Sequence, residues 1–313
     1  MLSRRLLRIK VLKALYAHLK SESENVTASE KTLMLAVDKT YDLYVHLFGL
    51  IVEVARYAEE RQEVALQKKL PTYEDLNPNR RFVRNSVVQL LADSEAINDF
   101  TARRKLSWKG ERELVKTLYN QLIEADYFKE YMNAAECDFK DDLRLVQDFF
   151  TNEPDNCEQL EEVLEEQSVM WRDDLSFALV MVLRTLSNLR RSSTDVKLLA
   201  EFKNEDDPQF IRTLFRQTLD SYAECQSIIG EYTANWEVDR IAFMDGLIMA
   251  MAMTELRTFP SIPVKVTLDE YIEISKYYST PASAQFINGI LDKAVERFTA
   301  DGSMCKSGTG LME

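Results

Sequence analysis

An all-α fold follows from three features of the sequence. Its 313 residues include only 8 Gly and 7 Pro, too few for the frequent turns of a sheet protein. Leu, Ala, Glu, Lys and Arg, which favour long helices, are abundant. Apolar positions recur at helical spacing rather than in alternation. The length suits one large domain or two modest ones, with a core that needs no disulfide or metal staple.

The first helix is read over 1–20. Leu12, Leu15, Tyr16 and Leu19 fall at i, i+3, i+4 and i+7, and Ser3 is placed to cap it. Its six basic residues without an acid also fit a transit peptide, but the apolar spacing favours a permanent core helix. A long helical pattern covers 31–67. Pro71 and Pro78 bracket a loop, and further helical segments follow at 80–100 and 108–133. Residues 136–174 hold fourteen acids against Lys140, Arg144 and Arg172, the pattern of a solvated helix face or loop. An apolar helix spans 177–189 and a break falls at 204–208. One helix then covers 209–233. Another, running from near Trp236 to Arg257, is apolar on most sides and so expected to be central. Thr267 and Glu270 read as a capping box for a helix through Tyr278. Thr280 and Pro281 open the last helix, which ends near Ala300. Residues 302–313 read as a polar, disordered tail.

The formal charge is −13, from 52 acidic and 39 basic residues, which argues against a bulk electrostatic grip on nucleic acid. Four scattered cysteines without a CxxC and two histidines, His18 and His46, give no disulfide framework and no zinc site. They fit a reducing, cytoplasmic interior. No apolar stretch is long enough to span a membrane. There is no Gly-rich phosphate loop, and neither histidine has a nucleophile partner in view. The sequence reads as a binding protein rather than an enzyme, with no cofactor and no metal.

Two clusters stand out. On an ideal helix Arg4, Arg5 and Arg8 lie on the side of Leu12, Leu15 and Leu19, while Lys10, Lys13 and Lys20 form the solvated side. The arginines therefore extend the apolar stripe past the core edge. There they either grip phosphates and base edges or pair with carboxylates of an adjacent helix. In the last helix Ile287, Ile290, Leu291, Ala294 and Phe298 make one stripe, and Phe286 lies about 100° from it. Beside Ser283, Gln285 and Asn288, Phe286 either stacks on an unpaired base or tucks beneath the loop of Pro260 and Pro263.

Three motifs carry a resemblance. RRLLRIKVLKALY at 4–16 resembles the N-terminal arginine motif of the NusB family. IPVKVTLDEYIEISK at 262–276 is similar to its proline-led helix, and FINGILDK at 286–293 to its closing helix, the most specific of the three. WEVDRI at 236–241, with Glu255 and Leu256, fits the family's fourth-helix region. The resemblance implies an all-helical core of two packed bundles in a transcription antitermination factor. Such a factor binds boxA-type single-stranded ribosomal RNA together with the small-subunit ribosomal protein NusE, and meets other Nus factors and RNA polymerase indirectly. It further implies RNA contacts by Arg4, Arg5, Arg8, Ser283, Gln285 and Phe286, and partner contacts by Tyr16 and Asp245.

The chain departs from the family pattern in three ways. Gln285 replaces a basic residue before the Phe-led motif, which weakens RNA affinity. Ala250 stands where the family carries an arginine. Residues 41–205 have no counterpart and read as a helical insertion between core segments 1–40 and 206–300, followed by the tail 301–313. Within the insertion Arg103, Arg104, Lys105, Lys109 and Arg112 form a basic cluster, read as a solvated helix end or an extra RNA contact. Two alternatives accompany the resemblance. One is a helical scaffold with weakened RNA binding that acts through its insertion and protein partners. The other is the NusB-like front of a ribosomal RNA methyltransferase, which would need a cofactor domain after Glu313.

Overall fold

The structure, a computed structural model, describes residues 1–22, 24–233, 242–280 and 282–311. It is all-α. Among the described residues there is no strand, and only an isolated parallel bridge joins Leu2 and Phe202. The α-helices among the described residues are α1 (Arg4–Lys20), α2 (Val26–Leu66), α3 (Tyr73–Leu76), α4 (Ser86–Asp93), α5 (Glu95–Arg104), α6 (Arg112–Glu124), α7 (Asp126–Asn133), α8 (Phe139–Asn152), α9 (Glu158–Gln167), α10 (Leu175–Ser187), α11 (Asp207–Tyr232), α12 (Phe243–Thr258), α13 (Val264–Tyr278) and α14 (Ser283–Ala300). They form two compact units. One is discontinuous, Leu2–Val37 with Phe202–Glu313; the other is Met1 with Asp38–Glu201.

In the discontinuous unit, Ser3 caps α1 in extended conformation, its Oγ accepting the Leu6 N–H at 3.2 Å. Every residue from 6 to 12 is buried, including Arg8 and Lys10. Lys10 therefore does not belong to the solvated face that spacing assigned it. The helix is enclosed by α11, α12 and α13 on several sides, so no wet stripe survives along its middle. α12 is more enclosed still, with every residue from 245 to 256 buried. α14 follows its expected pattern: Ile287, Ile290, Leu291, Ala294 and Phe298 are all buried. Each large apolar side chain buried there stabilises the unit by about 1.5–3 kcal/mol.

Two helix starts and the C-terminal segment differ from expectation. α13 begins at Val264, with Pro263 at the N-cap. Thr267 and Glu270 thus sit inside the helix and form no capping box. The N-cap of α14 is Ala282, and the Thr280 hydroxyl meets the Ser283 hydroxyl at 2.7 Å instead of a backbone N–H. Residues 302–311 are mostly exposed but tied by hydrogen bonds to the loop at 259–261. The Ser307 N–H donates to the Pro260 carbonyl at 3.0 Å, Thr309 Oγ1 to the Ser261 carbonyl at 2.7 Å, and Lys306 Nζ to the Phe259 carbonyl at 3.1 Å. The motif at 236–241 and Pro281 lie outside the described residues.

The other unit is built around the later part of α2, where Leu43, Tyr44, Leu47, Phe48, Ile51 and Val54 are buried. Phe48 meets Phe150 of α8 edge-on at 6.5 Å between centroids, and Tyr44 at 5.4 Å. The expected segments at 80–100 and 108–133 are each split, at Ser94 and at Ala125. The acidic stretch at 136–174 yields α8 and α9, which bury Leu145, Val146, Phe149, Phe150, Leu160 and Leu164. His46 stacks on Trp108 at 4.0 Å, and Trp108 Nε1 donates to the His46 carbonyl at 2.8 Å. Burial lowers the His46 pKa to about 4.

Candidate functional site

The three arginines of α1 meet three different environments. Arg4 donates through Nε to Asp207 Oδ1 at 2.9 Å and through a terminal nitrogen to Asp206 Oδ2 at 2.8 Å, and lies over the Phe210 ring. Asp207 is fully buried and also accepts the Asn204 N–H at 2.9 Å. Burial raises its pKa, but the hydrogen bonds from Arg4 and Asn204 outweigh that and hold it below the usual carboxylate range. Arg5 forms a two-pronged pair with Glu270, at 2.8 and 3.1 Å, and keeps 43% of its side chain exposed.

Arg8 is a core residue. Its side chain is 2% exposed and forks onto the fully buried Glu255 carboxylate at 2.8 and 2.7 Å. Thr267 Oγ1 and Tyr271 OH donate to the same carboxylate at 2.9 and 3.1 Å. Every lone-pair direction of Glu255 used here faces a donor, the condition under which a buried pair is tolerated. Burial alone would lower the Arg8 pKa; the Glu255 charge and hydrogen bonds more than reverse it. The Arg8 guanidinium, expected at an RNA-facing tip, is enclosed within its own chain. Spacing could place the three arginines on one side of α1 but could not show that Glu255, on another helix, waits opposite the third.

The first turn of α14 carries the second predicted group. Gln285 is exposed and Phe286 half-buried, while Ser283 is buried. Ser283 Oγ donates to Asp245 Oδ2 at 2.8 Å, and Ser279 Oγ donates to Asp245 Oδ1. Asp245 is only 6% exposed. Ser283 and Asp245, expected as RNA and partner contacts, are both buried and hydrogen-bonded within this chain. Tyr16 does face outward. It is 40% exposed and meets Phe243 edge-on at 5.6 Å, while Lys20 Nζ sits 4.1 Å from the Phe243 ring centre. The first turn of α12 thus joins the surroundings of Tyr16, through Phe243, to α14, through Asp245.

Other candidates have local roles. Arg104 pairs with the buried Asp42 at 3.0 Å, and Arg112 with Glu60 at 3.1 Å. His18 Nδ1 lies 2.8 Å from Ser29 Oγ. Ala250 is fully enclosed on α12. Among the described residues no His, Cys, Asp and Glu group is placed to hold a metal, and no helix is long and apolar enough to cross a membrane.

A family model described as the NusB family matches residues 179–296, from α10 into α14. The transcription antitermination protein NusB of Salinibacter ruber is 42% identical over 111 residues, covering 34% of this chain and 69% of that protein. The chain belongs to the NusB family. A second NusB relative, from Chloroherpeton thalassium, is 34% identical over 116 residues, 37% of this chain and 54% of its own length. A third, from Natranaerobius thermophilus, is 31% identical over 103 residues, 32% of this chain and 74% of its own. The solved structure of T. maritima NusB aligns with 24% identity and a TM-score of 0.30, over 46% of this chain and 89% of that one. The arginine motif at 4–16 lies outside the residues matched by the NusB family model.

Proposed function

We propose that this chain is a transcription antitermination factor that binds boxA-type single-stranded RNA jointly with NusE, the small-subunit ribosomal protein, without catalysis of its own. Contact with other Nus factors and RNA polymerase follows indirectly. The observation that carries this reading is the closing-helix motif, which begins on a clamped helix start with Gln285 exposed and Phe286 half-buried. A half-open aromatic beside an amide suits an unstacked base. Arg5, the most open guanidinium of the motif, supplies the phosphate contact by exchanging Glu270 for RNA, and Arg4 supports it. Tyr16 contributes to the partner face. Arg8, Ser283 and Asp245 act from inside. The expected insertion 41–205 falls largely in the 38–201 unit, although the NusB family match already begins at residue 179 within it.

A second reading is favoured by a specific observation: each arginine of the motif is paired with a carboxylate of its own chain. In that reading the protein is a helical scaffold with weakened RNA binding that works through its insertion and protein partners. Titration of a boxA-type single-stranded RNA, with and without the ribosomal partner, separates the two. RNA binding that tightens with the partner supports the antitermination factor. Partner binding with no RNA binding supports the scaffold.

A further inference from the structure

We propose that Asp245 is a positioning residue for RNA binding, which locks the first turn of α14 so that Gln285 and Phe286 stand toward the RNA, and that it touches neither RNA nor partner. The inference rests on the RNA-binding reading above.

The hydrogen-bond inventory is directional. An ionised carboxylate only accepts. Ser279 donates to one oxygen of Asp245 and Ser283 to the other. The Ser283 hydroxyl, having given its proton, accepts from Thr280 at 2.7 Å, and the Ser283 N–H donates to the Thr280 carbonyl at 2.9 Å. One carboxylate thereby ties Ser279, at the end of α13, and Ser283, at the start of α14, to α12.

Helix ends give a second, independent reason. Neither Ala242 nor Ala282, the N-caps of α12 and α14, has a side chain able to cap. Asp245 lies in the first turn of α12 and bonds the first residue of α14. A single negative charge thus stands at two helix starts, each of which favours an anion. Along α14, Ser283 and Ile287 are buried on either side of Gln285 and Phe286. The orientation of the open pair is set by these two anchors. Ile287 holds one through packing, and Asp245 holds the other through its hydrogen bond.

The test uses the full chain with Asp245→Asn and the milder Ser283→Ala, and Arg5→Ala as the contact reference. Each is titrated with boxA-type RNA over a range of salt and separately with the ribosomal partner, and amide exchange is followed at 283–287. An asparagine keeps one acceptor oxygen and turns the other position into a donor, so one serine hydroxyl must reverse its role and the clasp is disturbed without a change of size; Ser283→Ala removes its link outright. Asp245→Asn should weaken RNA binding roughly tenfold, with the wild-type slope of log affinity against log salt, because no phosphate contact is lost. Arg5→Ala should flatten that slope. Partner affinity should stay at the wild-type value, and exchange at 283–287 should quicken in both clasp variants. Wild-type RNA affinity in both variants would overturn the proposal, as would a loss confined to partner binding. If the wild-type chain binds no RNA, the RNA-binding reading fails and the positioning role falls with it. If it binds RNA while exchange at 283–287 stays unchanged in both variants, the clasp alone is refuted.

Discussion

Arg5 and Arg8 sit three residues apart on α1 and should respond to alanine in opposite ways. Removing Arg8 leaves the Glu255 carboxylate buried with only two neutral donors. Breaking such a pair costs about 3–5 kcal/mol, so Arg8→Ala should lower the urea midpoint severely. Arg5 is partly exposed, and an exposed pair contributes about 0–1 kcal/mol. Arg5→Ala should leave the urea midpoint nearly unchanged and act on RNA affinity instead. Equal midpoints for the two variants would remove the distinction. Two titratable groups of the 38–201 unit add pH dependence of opposite sign. His46 has a folded pKa of about 4 against an ordinary 6.5. The unfolded chain binds that proton first, so stability is lost as pH falls from 6.5 toward 4. Glu201 is raised to about 7 from 4.5, chiefly by burial and then by Asp38, and its Oε1 has no hydrogen-bond partner. There the folded chain binds the proton first, so stability is lost as pH rises from 4.5 through 7. Glu201→Gln should therefore raise Tm at pH 8 and leave it nearly unchanged at pH 4.5; thermal melts at the two values decide. Neither shift was visible in the sequence, because both depend on what encloses the group.

Helices were the most legible level. The 3.6-residue period located α1, α2, α10, α11, α13 and α14, and the all-apolar run before Arg257 correctly marked α12 as central. Ends were less legible because several local signals compete. Thr267 and Glu270 have the spacing of a capping box, yet Pro263 already provides a start one turn earlier, and Thr267 is drawn inward by Glu255. Of the candidate site, Gln285 is exposed, Arg5 partly exposed and Phe286 half-buried, while Tyr16, which helical spacing put on the apolar stripe, is 40% exposed. That Arg8, Ser283 and Asp245 are enclosed was not legible, because a single sequence does not show which carboxylate or hydroxyl of a distant helix faces them. The tail was misread for a similar reason. Its polar composition suggests disorder, but its donors match the free carbonyls of Phe259, Pro260 and Ser261. Gly310 is the tight point: a Cβ there would stand 1.9 Å from the Pro260 oxygen. Gly310→Ala should release the segment and speed amide exchange at 303–311. Unchanged exchange would show that the loop yields instead.

At the scale of the whole chain, the proposed function has an acidic protein of charge −13 hold an anion. A small number of phosphate contacts then predicts a shallow salt dependence, with a slope near −0.7 per phosphate on single strands. A slope steeper than about −3 for the wild-type chain would require basic residues beyond Arg4 and Arg5. The 38–201 stretch has its own core, so produced alone it should unfold cooperatively in urea; a gradual, non-cooperative loss of helix would contradict that independence. Its contiguity has a further consequence. Arg8 and Glu255 are 247 residues apart. At about 5–20 residues per second of synthesis, Arg8 leaves the ribosome roughly 12–50 s before its counter-charge exists. Once residue 201 is made, 38–201 has its partners at hand, whereas Leu6, Leu7, Ile9, Val11 and Leu12 still have no core to enter. The nascent amino-terminal helix is thus the segment that chaperones must shield, and anything that stalls translation of the last hundred residues prolongs its exposure.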